Sequence, residues 1–191
     1  MLLDYYRKVE YPTTRQEIML YSMYRSRVFR GVTGTAAADC LSRYTLDVKL
    51  IHSSEELLDN RDGYFQAELY GALLAEYRER MEGCRDRVSV VTGVDFQCDD
   101  LKRELDAGKQ IMLECIIPGN ADGLHDEVLH WILIYGYEGE VFLACDPLSA
   151  KIRLKSEKLE NYMDTSIGKI CIVVGERLER EEGKQHDQYT G

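Results

Sequence analysis

His130 and Asp146 are the two residues whose types and spacing could do chemistry together. An imidazole held by a carboxylate is the base half of a thiol-hydrolase site, because the carboxylate fixes one ring tautomer and stabilises the charged ring once it takes a proton. Both lie in the run His130-Trp-Ile-Leu-Ile-Tyr-Gly-Tyr-Glu-Gly-Glu-Val-Phe-Leu-Ala-Cys-Asp-Pro147. Read as a hairpin, its two apolar stretches meet at Tyr137-Glu138-Gly139, a three-residue loop in which glycine takes the left-handed position. Gly136 then faces Glu140, and His130 falls directly across from Asp146 with Cβ atoms about 5 Å apart. A two-residue loop would instead turn the two side chains to opposite faces. Each residue also has a plainer reading: His130 as a strand histidine bonded to a neighbour, and Asp146 as a turn residue ending a strand before Pro147.

The elements that must position this pair follow from periodicity. Thr13 or Thr14 can cap a helical segment that continues through Ile18, Tyr21 and Met23. A glycine-bearing loop, Arg30-Gly31-Val32-Thr33-Gly34-Thr35, then feeds a run of small residues, Ala36-Ala-Ala-Asp-Cys-Leu41, that suits a tightly packed helix. Residues 47–51 read as a strand, 64–82 as an amphipathic helix stopping before Gly83, and 87–92 as extended. Asp99 or Asp100 caps a short helix that Gly108 terminates. Thereafter branched and aromatic residues predict strands over 110–117, 128–136, 141–145, 151–154 and 169–174, interrupted by a short helix from Ser156 to Tyr162. Helices first and strands last predict an α+β fold, N-terminal helices packed on one side of a C-terminal antiparallel sheet.

With 191 residues, 30% charged and a formal balance of −10 from 34 acidic and 24 basic side chains, the chain has length for one full core and a charge that disfavours nucleic acid and acidic membranes. A single domain over residues 1–176 with a charged, disordered tail over 177–191 is expected. No window approaches about 18 uninterrupted apolar residues, and Met1-Leu-Leu-Asp-Tyr-Tyr-Arg-Lys8 lacks the order of a signal peptide, which predicts a cytoplasmic protein. The six cysteines, Cys40, Cys84, Cys98, Cys115, Cys145 and Cys171, are scattered and form no CxxC pair, so free thiols are expected rather than disulfides or structural zinc. Cys115, Cys145 and Cys171 sit in strand-like runs, where cysteine serves as a small buried hydrophobe.

A helical half followed by a sheet that carries His and Asp on neighbouring strands resembles the papain-like enzymes, and in detail the C39-type peptidases and their C39-like relatives. The resemblance covers roughly residues 24–175. It rests on the helix and glycine of Leu101-Lys-Arg-Glu-Leu-Asp-Ala-Gly108, the strand start Gln110-Ile-Met-Leu, His130-Trp131, Tyr135-Gly136-Tyr137, Asp146-Pro147 and the closing strand Lys169-Ile-Cys-Ile-Val-Val174. It implies that His130 is the general base, that Asp146 orients it, and that a Cys-Gly at the head of a buried helix supplies the nucleophile, with a Gln shortly before it for the oxyanion. A thiolate there would benefit from the helix N-terminus and the nearby imidazolium.

The chain departs from that pattern at the nucleophile. Aligning Gly31-Val32-Thr33 and the alanine-rich helix with the Cys-Gly start places Arg30 at the attacking position, and residues 24–29 contain no Gln. Arginine stays protonated and cannot attack a carbonyl. Cys40 lies in the same helix but ten positions past Arg30, about 15 Å along it. Two functions therefore stand: a catalytically inactive domain that binds a peptide or protein tail in the former cleft, with Arg30, Gly31, Thr33 and Trp131 as binding residues, or an active thiol hydrolase or acyl-transfer enzyme using Cys40 or another cysteine with His130 and Asp146. Arg25, Arg27 and Arg30 before a helix start could hold a carboxylate or phosphate, though no P-loop is present. An Arg30–Asp146 ion pair would give the idle site a structural role. His125-Asp126-Glu127 with His130 suggests a metal cluster only superficially, since an odd spacing in a strand sends residues 125 and 130 to opposite faces. No metal, cofactor, nucleic-acid or membrane partner is expected, and a purely structural or oligomerisation module is the third class open.

Overall fold

Unbroken or alternating apolar runs form seven strands in this computed structural model, which describes residues 23–24, 26–27, 32–44, 46–117, 128–146 and 150–176. In chain order these residues give α1 (Gly34–Ser42), β1 (Leu46–His52), α2 (Ala67–Cys84), β2 (Val88–Val91), α3 (Cys98–Asp106), β3 (Gln110–Ile117), β4 (Val128–Glu138), β5 (Val141–Asp146), β6 (Ala150–Lys155), α4 (Ser156–Met163) and β7 (Ile170–Glu176). One sheet takes all seven strands in the order β2-β1-β7-β3-β4-β5-β6. The architecture is mixed α+β.

Two parts of the expected layout change. The sheet is mixed rather than wholly antiparallel, because the early strands β1 and β2 join it as a parallel pair while β1 runs antiparallel to β7. The helices also flank both faces instead of one. The reason lies in the central strands: β7 is buried at every position from Ile170 to Gly175, and a strand apolar on both sides must be covered on both. On one face Ala37, Ala38 and Leu41 of α1 and Leu73, Tyr77 and Met81 of α2 pack on Leu46, Val48, Leu50, Leu133, Ile170, Ile172 and Val174. On the other, Cys98 and Leu101 of α3 and Leu159 and Met163 of α4 pack on Ile111, Leu113, Ile132, Ile134, Phe142, Ala144 and Val173. Each fully buried aliphatic side chain contributes roughly 1.5–3 kcal/mol.

The local signals explain most helix ends. Thr33 is extended (φ −77°, ψ 160°) and its hydroxyl accepts from the Ala36 N–H, capping α1. In α3 the cap is Gln97 rather than Asp99 or Asp100; Asp100 stands three residues in and its carboxylate accepts the Gln97 N–H at 2.8 Å. Gly108 beyond α3 has φ +76°, as expected of a helix terminator. Helix α2 runs through Gly83 to Cys84, because that glycine keeps helical geometry. Among the described residues no helix is long and apolar enough to cross a membrane, and all six cysteines are free thiols. The expected helix around residues 13–21, the His125-Asp126-Glu127 segment and the tail from 177 lie outside the described residues.

Candidate functional site

The hairpin of β4 and β5 brings His130 and Asp146 together by a different register from the one the sequence suggests. Glu138 pairs with Val141, Tyr137 with Phe142 and Gly136 with Leu143, so the loop is the two-residue Gly139-Glu140, with Gly139 at φ +59°. Alone, that loop would send His130 and Asp146 to opposite faces. Between Gly136 and Ile134 the register shifts, Ile134 pairing with Ala144 and Leu133 with Cys145, and Tyr135 is the extra residue of the bulge. One inserted residue reverses the facing of everything before it. His130 and Asp146 thus return to one face as diagonal neighbours, and Nε2 of His130 lies 2.7 Å from Oδ1 of Asp146.

Asp146 is buried, and the His130 side chain is 17% exposed. With the carboxylate accepting from Nε2–H, the tautomer assigned by that bond leaves Nδ1 as the basic nitrogen. Nδ1 has no hydrogen-bond partner among the described residues. The half-site can therefore accept a proton. The thiol that stands beside it among the described residues is one that burial holds protonated.

Cys115 is the residue the sequence reading passed over. It is the direct cross-strand partner of His130, so Cys115, His130 and Asp146 make a row across β3, β4 and β5 on one face. Burial, then the charges of Glu114 and Asp146, push its thiol up to about 12. Only on the order of one molecule in 100,000 would carry a Cys115 thiolate at pH 7. Burial above all, with the Asp146 carboxylate beside it, opposes the very ionisation that a nucleophile needs. Cys40 fares no better: it lies in the last turn of α1, and burial together with Asp39 pushes its thiol to about 11. Burial likewise raises Cys84 to about 11 and Cys98 to about 12, and pushes Cys171 up as well.

The helix head expected to meet the dyad is on the other face. Strand alternation puts His130 and Ile132 with α3 and α4, and Trp131 and Leu133 with α1 and α2. Trp131, half-buried, donates its indole N–H to the Val32 carbonyl at 3.1 Å. It also touches the start of α1, where a Cβ on Gly34 would lie 3.4 Å from its ring and 3.1 Å from Ile170. Since α1 begins at Gly34, the residue at its head is Thr33, three places after the position aligned for the nucleophile. Thr33 is bonded to Thr35 at 3.0 Å and to the Tyr77 hydroxyl. Arg30, Gly31 and Arg25 lie outside the described residues. Arg27 is in them, its backbone N–H donating to Glu76 at 3.0 Å and its guanidinium pairing with Glu79.

Glu114 was also missed, although a readable signal existed: it is the one charged residue in the apolar run Ile111-Met-Leu-Glu-Cys-Ile-Ile117. It pairs across the sheet with Trp131. Burial alone raises its carboxyl to about 8, and Oε2 has no hydrogen-bond partner. A cavity of about 370 Å³ lies elsewhere, against α3, lined by Lys49, Ile51, Val91, Phe96, Leu101 and Cys171 among others. Among the described residues no group of three or more His, Cys, Asp or Glu side chains could hold a metal ion. No family model, no curated protein and no solved structure matches the chain.

Proposed function

We propose that this chain is a papain-like, C39-type domain that keeps the base half of a thiol site, has lost the nucleophile, and works by binding an extended peptide or protein tail. The observation that carries this reading is the position of His130. It is oriented by Asp146, yet the cysteine across from it is held protonated, and the helix head packs on the opposite face of the sheet with a threonine as its cap. A thiol that stays protonated at rest is a poor nucleophile for acyl transfer, since the thiolate is the attacking species. The peptide-binding half of the proposal rests on the resemblance to an enzyme fold whose cleft accepts extended chains.

One observation favours a second reading, an active thiol enzyme: the direct pairing of Cys115 with His130. Alkylation separates the two. Site-resolved rates with iodoacetamide near neutral pH should be uniformly slow at all six cysteines, and His130→Ala should leave them unchanged. A single fast thiol at Cys115 that slows on His130→Ala would overturn the inactive reading and install the enzyme.

A further inference from the structure

Three buried polar groups without partners among the described residues lie at the head of α1 and on the sheet face it packs against. The first turn of a helix leaves its leading N–H groups unbonded; here Thr33 satisfies the Ala36 N–H and the Thr33 carbonyl takes the Ala37 N–H. The N–H groups of Gly34 and Thr35, both buried, have no partner among the described residues. Beneath them is the third group. In the register of the sheet Glu114 stands opposite Trp131, and the next pair after Leu113–Cys171 sets it beside Ile170. Trp131, Ile170 and Leu50 are the side chains that a Cβ on Gly34 would meet. Glu114 therefore lies on the face of the sheet that packs against α1, close enough for Tyr77 to feel its charge, and its Oε2 is unbonded.

The groups around it are donors or neutral. From α2 comes Tyr77, whose hydroxyl is bonded to Thr33 and feels the charge of Glu114; Glu76, next to it, is occupied by Ser26, the Arg27 N–H and Arg80. From α1 come the Thr33 and Thr35 hydroxyls, while Asp39 at the far end is paired with Arg43 and Arg87. Strands β4 and β7 contribute Trp131 and Ile170, and Cys115 and Asp146 face the other side of the sheet. No cation among the described residues acts on Glu114. A protonated carboxyl is itself a donor.

We propose that the head of α1 binds the terminal carboxylate of an extended chain, with Glu114, Tyr77 and the N–H groups of Gly34 and Thr35 as donors and Trp131 as the wall. This deepens the peptide-binding reading and rests on it for the body of the ligand. A carboxylate suits the site because it accepts several hydrogen bonds, sits well at a helix N-terminus, and can share the Glu114 proton where no cation is supplied. Val32 and Trp131, both half-buried, border the approach. Since burial keeps the Glu114 carboxyl protonated up to about pH 8, the site should hold a carboxylate below that pH and repel it above.

Trp131 is the only tryptophan, so its fluorescence reports the site directly. The full chain is titrated with N-acetyl-dialanine bearing a free carboxylate, with its amide, and with acetate, and folding is checked by circular dichroism. The acid is expected to bind at least about tenfold tighter than the amide, and its affinity to fall more than about tenfold from pH 6.5 to 9.5 as Glu114 ionises. Glu114→Gln, which keeps a donor without the titration, should bind with an affinity constant to within about twofold over that range. Equal binding of acid and amide, or a pH-independent affinity in the native chain, overturns the carboxylate site while leaving peptide binding intact. Binding of acetate but of neither peptide supports the site and sinks the peptide reading. Silence from all three removes both.

Discussion

At the scale of single residues, two buried groups with displaced titrations set the pH range in which the protein is most stable. Burial raises Glu114 from 4.5 to about 8 and lowers His52 from 6.5 to about 4, the latter with its Nδ1 accepting the Ser54 N–H at 3.0 Å. For Glu114 the folded state holds the proton longer, so its contribution is full below pH 4.5 and is lost as pH rises to about 8. For His52 the folded state gives up the proton sooner, so its contribution is full above pH 6.5 and is lost as pH falls to about 4. Each shift corresponds to a few kcal/mol. Between pH 4.5 and 6.5 the two slopes oppose and nearly cancel. Thermal unfolding should therefore be flat across that window and fall from pH 6.5 to 8, and Glu114→Gln should abolish the alkaline fall by removing on the order of 2 kcal/mol of pH-dependent loss between pH 6.5 and 8. A melting temperature that keeps declining in Glu114→Gln would place the cause elsewhere. Neither shift was legible in the sequence, because burial from both sides of a sheet is a property of the packed fold; only the isolated charge in the run 111–117 hinted at one of them.

Elements show where local signals suffice and where they do not. The strands β3 to β7, the helix capped before Leu101 and the helix after Lys155 are readable because period, cap residues and Gly108 agree. The β4–β5 hairpin was not, since the choice between a three-residue loop and a two-residue loop with a bulge depends on how Tyr135 seats in the sheet. Both routes bring His130 and Asp146 to one face, so the pair was found through a register that the structure does not use. Two glycines offer a clean contrast. Gly139 lies in the turn at φ +59° with no atom within 4 Å of an added Cβ, whereas Gly71 lies inside α2 with equal room and helical geometry. Gly139→Ala should lose about 1 kcal/mol through backbone strain alone, and Gly71→Ala should gain about 0.5–1 kcal/mol from helix propensity. Urea denaturation of the two variants measures both, and a stabilising Gly139→Ala would contradict the two-residue turn.

On the scale of the molecule, the two faces of the sheet carry different groups. One carries the His130–Asp146 pair under α3 and α4, and the other carries the head of α1 with Trp131 and Glu114. The expectation of helices on a single face failed because the sequence does not reveal that β1 and β2 enter the same sheet as the later strands, leaving β7 in its interior. That placement also fixes when the protein can exist. Leu46 pairs with Glu176 and His52 with Ile170, while Gln110 to Leu113 take the other edge of the same strand. Without β7 the sheet separates into a parallel pair and a four-stranded remnant, each with bare apolar faces. A chain ended at Gly168 should accordingly lose its cooperative thermal transition and precipitate, whereas retention of that transition would show that the halves fold independently. During synthesis, then, β7 must leave the ribosome before the centre of the sheet can close, and the nascent protein waits with the edges of β1 and β3 open for that strand.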